Sequence, residues 1–253
     1  RLDFASARGD DRGQKTFAVD WVKVVETSPP ADGPAITSWD FTSGDHGWRL
    51  PGKAQPQTDL KGVTVPLGEG GTTRLSSPPL RFSVDAAGYW VAVEMAVDKG
   101  ARGTLSWASS ESKGMAHRQF EVKGDGQYHM YNLDMAASSA WDGEVMLLKL
   151  SPSDVSGAVA HVRRILISDV PVGPAAVEMV YSGLANAINR AGQEVPFTIR
   201  LTNKGGKTGS GLRIVRLELP GDAKRVRGPG WDTLPDVEPF STESKDILVR
   251  ASR

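Results

Sequence analysis

Polar and apolar residues alternate along most of this chain, and the alternation sets the first expectation. In "GYWVAVEMAVD" (Gly88 to Asp98), Tyr89, Val91, Val93, Met95 and Val97 fall on one side. Trp90, Ala92, Glu94 and Ala96 fall on the other. A period of two is a β-strand, and the valine side is the better core face. The same pattern predicts strands at 103–109, 118–122, 128–135, 144–152 and 160–170. "VKGDGQY" (122–128) carries Gly-Asp-Gly and reads as a tight hairpin. Apolar runs are short and are punctuated by Gly, Pro, Asp and Ser, which is the signature of an all-β chain. "SGLANAINRAG" (Ser182 to Gly192) is the one weak helical stretch, and it reads better as a loop or single turn.

The pattern repeats on a larger scale. "FAVDWVKVVETSPP" (Phe17 to Pro30) echoes "AHVRRILISDVPVGP" (Ala160 to Pro174), each a strand running into a proline-containing linker. A repeat this long is a repeat of domains. Residues 1–28 are therefore expected to be the last strands of one β-sandwich, 29–35 a linker, and 36–172 a complete sandwich. From 175 to 253 strands recur about every ten residues, as in an immunoglobulin-like sandwich. That segment is short of the roughly 100 residues such domains use, so a C-terminal truncation is expected. The chain opens "RLDF", without methionine and in mid-strand, so a longer parent is expected as well.

Composition narrows the chemistry. The chain has 253 residues, with 30 basic and 30 acidic side chains. No basic footprint for nucleic acid follows from that balance, and no apolar run is long enough to span a bilayer. Cysteine is absent, which removes disulfides, thiolate metal sites and a cysteine nucleophile. The four histidines are scattered, without the convergence a zinc site needs. "GGKTGSG" (Gly205 to Gly211) resembles a phosphate loop, but Leu201 stands where the first glycine belongs and a strand, not a helix, follows. "RGD" (Arg8 to Asp10) is a three-residue match in a polar loop. There is no G-x-S-x-G elbow.

Certain stretches resemble a known family: "WDF…GW" from Trp39, "GQYHMYNLDM", "WDGEVMLLKLSPSD" and the strand after it. Together they resemble a galactose-binding-like β-jelly-roll, a carbohydrate-binding-module-like accessory domain of large secreted bacterial glycan-active enzymes. "PFTIRLTNKGG", "LELP" and "VEPFSTESKDILVRA" are similar to a CARDB-type bacterial Ig-like domain. The resemblance implies an accessory region outside a bacterial cell, secreted or surface-held. Its implied partners are a polysaccharide and a catalytic domain of the same parent chain.

Within that frame the candidate site residues are Trp90, Glu94 and Trp48. Trp90 and Glu94 share the strand face opposite the valines, where an indole stacks on a sugar's C–H face and a carboxylate accepts from hydroxyls. The other reading has Trp90 covered by a neighbouring segment. Trp48, after the turn "SGDHG", is either a platform for a sugar ring or a plug for the sandwich's open end. Trp39, Phe41, Trp107 and Trp141 read as core or cap, and Trp231 as packing under a loop. No cofactor is expected. A structural calcium ion stays open, with Asp40, Asp45 and Asp169 as oxygen donors, although no EF-hand spacing occurs. Glycoside hydrolysis needs two carboxylates flanking one bond. Glu94, Glu121 and Glu144 lie on predicted strands, but none has an acidic partner two residues away on the same strand. The fragment is therefore expected to be non-catalytic. The alternatives are a spacer without ligand, and hydrolysis within the sandwich.

Overall fold

The structure is a computed structural model. It describes residues 35–53, 56–68, 73–84, 89–182, 192–215, 223–226 and 230–251. The strands expected over 1–28, most of the first linker and the stretch 183–191 lie outside these residues. The chain divides into two compact units, one spanning Ala31–Gly173 and the other containing Pro174–Arg253.

The first unit holds β1 (Ala35–Asp40), β2 (Thr58–Asp59), β3 (Gly62–Pro66), β4 (Leu75–Ser76) and β5 (Phe82–Ser83). These are followed by β6 (Trp90–Val97), β7 (Arg102–Ser109), β8 (Ala116–Glu121), β9 (Tyr128–Asp134), β10 (Glu144–Ser151) and β11 (Val159–Ser168). They form two antiparallel sheets. The six-stranded sheet runs β2-β3-β11-β6-β9, with β1 also on β11; the five-stranded sheet runs β4-β10-β7-β8, with β5 also on β10. Because β6 lines one edge of β11 from Ala160 to Ser168, β3 and β1 must share the other edge end to end. From β6 to β11 the chain crosses between sheets four times, a path that fits a jelly-roll.

One core joins the two layers. Val91, Val93, Met95 and Val97 of β6 are fully buried against Leu105 and Trp107 of β7 and Leu148 and Leu150 of β10. Each such side chain contributes about 1.5–3 kcal/mol by leaving water. Trp107 donates its indole N–H to the Ala140 carbonyl at 2.8 Å and meets Trp141 edge-on at 5.6 Å.

Two features depart from simple alternation. The stretch 122–128 is not a hairpin: β8 pairs with β7 and β9 pairs with β6, so this connection passes from one sheet to the other. It runs against the β6–β7 connection so closely that a Cβ at Gly124 would sit 2.7 Å from the Gly100 carbonyl oxygen. Gly124 serves close backbone approach and Gly126 takes a φ of 72°, where Gly-Asp-Gly was expected to form the tip of a tight hairpin. The second departure is in the two long central strands, each of which slips register once. In β11 the inward residues are Ala160 and Val162 before the slip, then Ile165 and Ile167 after it. In β10 they are Val145, then Leu148 and Leu150. An extra residue in one strand of a pair is a β-bulge, and it reverses which parity faces the core.

The second unit has β12 (Val177–Ser182), β13 (Glu194–Asn203), β14 (Ala223–Arg225) and β15 (Thr242–Ala251) in one antiparallel sheet ordered β12-β13-β15-β14. Phe197, Ile199, Leu201, Ile247 and Val249 bury one face together with Leu212, Ile214, Leu234 and Val237. Asn203 is completely buried and uses its whole amide. Its Oδ1 accepts from the Ala176 and Gly205 N–H groups, and its Nδ2 donates to the Lys207 and Val237 carbonyls. The glycine-rich "GGKTGSG" loop is thus ordered by a buried asparagine. A Cβ at Gly205 would lie 2.1 Å from the Pro174 carbonyl oxygen, so only glycine fits.

Candidate functional site on the outer face of the six-stranded sheet

With valines and methionine turned inward, the outward positions of β6, β9 and β11 form a second surface. Cross-strand registers place its rows. Asp40, Arg164, Glu94 and Met130 form one row; Ser38, Leu166, Ala92 and Asn132 form the next. Thr64, His161, Ala96 and Tyr128 form a third.

The bulge in β11 builds the centre of this face. Register resumes at Arg164 opposite Glu94, leaving Arg163 as the extra residue. Both guanidiniums reach the same carboxylate. Arg163 Nη1 donates to Glu94 Oε1 at 3.0 Å, and Arg164 Nε lies 3.5 Å from Oε2. Glu94 keeps 21% of its side chain exposed, Arg164 30% and Arg163 37%, so water screens the pairs only in part. The Arg163 guanidinium also lies 3.7 Å over the Tyr128 ring centroid, a cation–π contact. Tyr128 donates its hydroxyl to the Lys61 carbonyl, and burial pushes its pKa up. His161 Nδ1 is 3.2 Å from Thr64 Oγ1.

Beside this charged centre the face is closed by the chain itself. Val172, just after β11, is buried among Ala92, Leu166 and Met130. The Asn132 amide holds it at both ends, accepting from Val172 N and donating to Val172 O, each at 2.9 Å. The side chain of Asn132 acts as a one-residue strand partner.

Trp90 and Glu94 therefore do share the outer face, and both are half-buried. Glu94 is engaged by two arginines instead of standing open as a lone acceptor. Trp48 is a correction. It is fully buried, edge-on to Trp39 at 5.3 Å and to Phe41 at 5.6 Å, and offers no surface to a sugar. The turn before it is folded tightly enough to drive the indole inward. His46, at φ 49°, places Nε2 2.7 Å from the Asp40 carbonyl oxygen, and Trp48 N donates to the Asp45 carbonyl.

The three proposed calcium donors are not gathered. Among the described residues no three His, Cys, Asp or Glu side chains converge. Asp40 Oδ1 accepts from the Thr42 hydroxyl at 2.6 Å and from its N–H at 2.9 Å, which hold its carboxyl below the ordinary aspartate range. Asp45 Oδ1 accepts from Gly47 N. Both acids use Oδ1 to close their own turn. Asp169 is exposed beyond the end of β11. The sequence reading missed Arg163, Arg164, Tyr128 and Asn132. The available signal was the Arg163–Arg164 pair, which breaks the alternation of "HVRRILIS".

No protein-family model matches the chain, and no curated protein matches it. Several solved structures are similar to it. One described as "BiXyn10A CBM1 APO" is 12% identical with a TM-score of 0.32, over 54% of this chain and 99% of that one. "Crh5 transglycosylase in complex with NAG" is 14% identical at 0.33, over 59% and 90%. "Apo Crh5 transglycosylase" is 11% identical at 0.33, over 57% and 89%. At these values the likeness carries no argument about what this chain binds.

Proposed function

We propose that this chain is a non-catalytic, carbohydrate-associated accessory region of a secreted bacterial polysaccharide-degrading enzyme. In this reading the unit Ala31–Gly173 is the glycan-contacting module, and the C-terminal unit is an Ig-like spacer. The observation that carries it is the half-buried set Trp90, Glu94, Tyr128 and Arg163 on one outer sheet face. The interior of the sandwich is filled by apolar side chains, so recognition has to happen on an outer surface. Sugars suit a surface of this kind: ring faces stack on aromatic groups, and hydroxyls bond to rigid planar charges. One shallow site binds weakly, and tethering to an enzyme supplies the rest through effective concentration.

Affinity electrophoresis of the intact chain through gels containing a panel of polysaccharides tests this. At least one is expected to retard it, and Trp90→Ala is expected to reduce the retardation. If none retards it, the binding reading fails.

One observation favours a second reading, a structural spacer without ligand. Val172 and Asn132 close the apolar part of the same face, as a surface needing only solvent protection would be closed. Under that reading Trp90→Ala changes stability and nothing else.

A further inference from the structure

We infer that Asp142 is a site of spontaneous covalent modification: its side chain closes a ring onto the Gly143 amide, and the chain there converts to isoaspartate. The site is independent of the glycan-binding reading.

Such a ring closes when the amide of the next residue can reach the carboxyl carbon, and glycine leaves that amide unhindered because it has no Cβ. The sequence holds three Asp-Gly pairs, Asp32–Gly33, Asp125–Gly126 and Asp142–Gly143. The last two lie among the described residues, and the fold gives them opposite settings. At Asp142 the amide faces its own side chain, Gly143 N donating to Asp142 Oδ1 at 2.8 Å. Oδ1 is bonded to Cγ, so the nitrogen is also beside the carbon it has to attack. Reacting atoms held about 3–3.5 Å apart are pre-positioned for reaction. Asp142 is exposed, which admits the water used later. At Asp125 the amide faces away, Gly126 N donating to the Val97 carbonyl at 2.8 Å. The Asp125 carboxylate is tied as well: Gln127 N donates to Oδ1 at 2.9 Å, and His129 Nε2 lies 3.0 Å from Oδ1 and 2.9 Å from Oδ2. Ring closure at Asp125 has to break these contacts. At Asp142 it starts from the contact already made.

The steps balance with water alone. From the acid form of Asp142, the Gly143 nitrogen loses its proton and bonds to Cγ, the Cγ–OH bond breaks, and one water leaves. Water then opens the succinimide. Breaking the new N–Cγ bond restores aspartate. Breaking the original peptide C–N bond leaves the chain running through Cβ and Cγ, one backbone carbon longer. That carbon arrives where there is little slack. Gly143 has a φ of 66°, and a Cβ on it would lie 2.4 Å from Ser110 Oγ. Its carbonyl accepts from Val84 N at 3.0 Å, and β10 begins at the next residue. On the other side Trp141 is buried, edge-on to Trp107. Conversion therefore loosens the start of β10.

The test stores the whole chain warm in mildly acidic buffer, once folded and once in urea, and follows isoaspartate at each position by peptide mapping and by labelling with an isoaspartyl methyltransferase. In the folded chain Asp142 is expected to convert at least about tenfold faster than Asp125. In urea both are plain Asp-Gly pairs, and their rates are expected to converge. Asp142→Glu, whose ring would need one more atom, is expected to remove the product at that position, with thermal unfolding used to verify that the variant is folded. The comparison in urea does not depend on that variant. No isoaspartate at Asp142, equal rates at the two positions in the folded chain, or a preference for Asp142 that persists undiminished in urea overturns the inference.

Discussion

Two outward sheet faces of this molecule can be compared strand for strand. On the four-stranded sheet the outward residues of β13 and β15 include Thr198, Arg200, Thr202, Thr242, Ser244 and Asp246, with the exposed ion pair of Glu194 and Arg250 at one end. Their polar groups pair across the ladder, Thr198 Oγ1 donating to Asp246 Oδ1 at 2.6 Å and Thr202 and Thr242 sharing a hydroxyl contact at 3.0 Å. Arg200, Thr242, Ser244 and Asp246 are exposed. On the six-stranded sheet the corresponding surface buries Ala92 and Leu166 under Val172 and keeps Glu94, Arg163 and Arg164 half out of water. Short hydroxyls on a solvated ladder cost little to maintain. Half-buried charges cost desolvation unless each finds a partner. The second surface supports such charges, and for that reason it is the better place to look for recognition.

Matched substitutions should separate the two faces. The largest difference is expected from placing a charge at an apolar position on each. Val172→Asp puts an unpaired carboxylate among Ala92, Leu166 and Met130 and should destabilise the unit Ala31–Gly173 by about 3 kcal/mol or more. Val180→Asp, on a side chain 63% exposed in β12, should change stability by less than about 0.5 kcal/mol. Denaturant titration of each variant measures both. If the two cost the same, Val172 is not packed as described. Next in size is Asn132→Ala, which leaves the N–H and C=O of Val172 without their partners. About 1–2 kcal/mol should be lost, together with faster amide exchange at Val172.

Smaller effects follow for the charges. Glu94→Ala removes the carboxylate shared by two arginines and should cost about 1 kcal/mol, discounted for their exposure. Asp246→Ala on the other face should cost less than about 0.5 kcal/mol. Chemical denaturation at low and high salt distinguishes them, since only the first should lose part of its effect in salt. The smallest is a pH effect. The Thr42 hydroxyl and N–H hold Asp40 low, and the Ala101 and Arg102 N–H groups do the same for Asp154. A carboxyl whose folded pKa is depressed adds stability that is complete above its unfolded pKa. That contribution is lost as pH falls through the ordinary aspartate range to the lower folded value. Acid titration should therefore weaken the unit Ala31–Gly173 between about pH 5 and pH 2. Thr42→Val should flatten the Asp40 part of that slope.

These particulars also show what could be read from the chain. Strands β6 to β11 were legible because apolar and polar positions alternate along them, in β10 and β11 on either side of the bulge, and the inward set of β6 matches the valine side of the pattern. The short strands β2 to β5 were not, because two to five residues carry too little periodicity to stand out. Gly-Asp-Gly at 124–126 was misread because close backbone approach and a hairpin turn ask for the same residues. The site was half legible. Alternation placed Trp90 and Glu94 on one face, but no local pattern shows a bulge that swings Arg163 to Glu94 or a residue forty positions from Asn132 that covers Ala92. Trp48 illustrates the same limit. A tryptophan after a glycine-containing turn has the same sequence whether the turn points it outward or folds it in, and here two aromatic neighbours receive it.

The central claim is that glycan contact occurs on the β6–β9–β11 face around Arg163. Titrating the labelled protein with an oligosaccharide cut from a polysaccharide that retards it, and following amide and arginine Nε–H resonances, tests it residue by residue. The account predicts saturable shifts at Arg163, Arg164, Glu94 and Tyr128, with the C-terminal unit unmoved. Shifts confined to β12–β15, or none at saturating ligand, would contradict it.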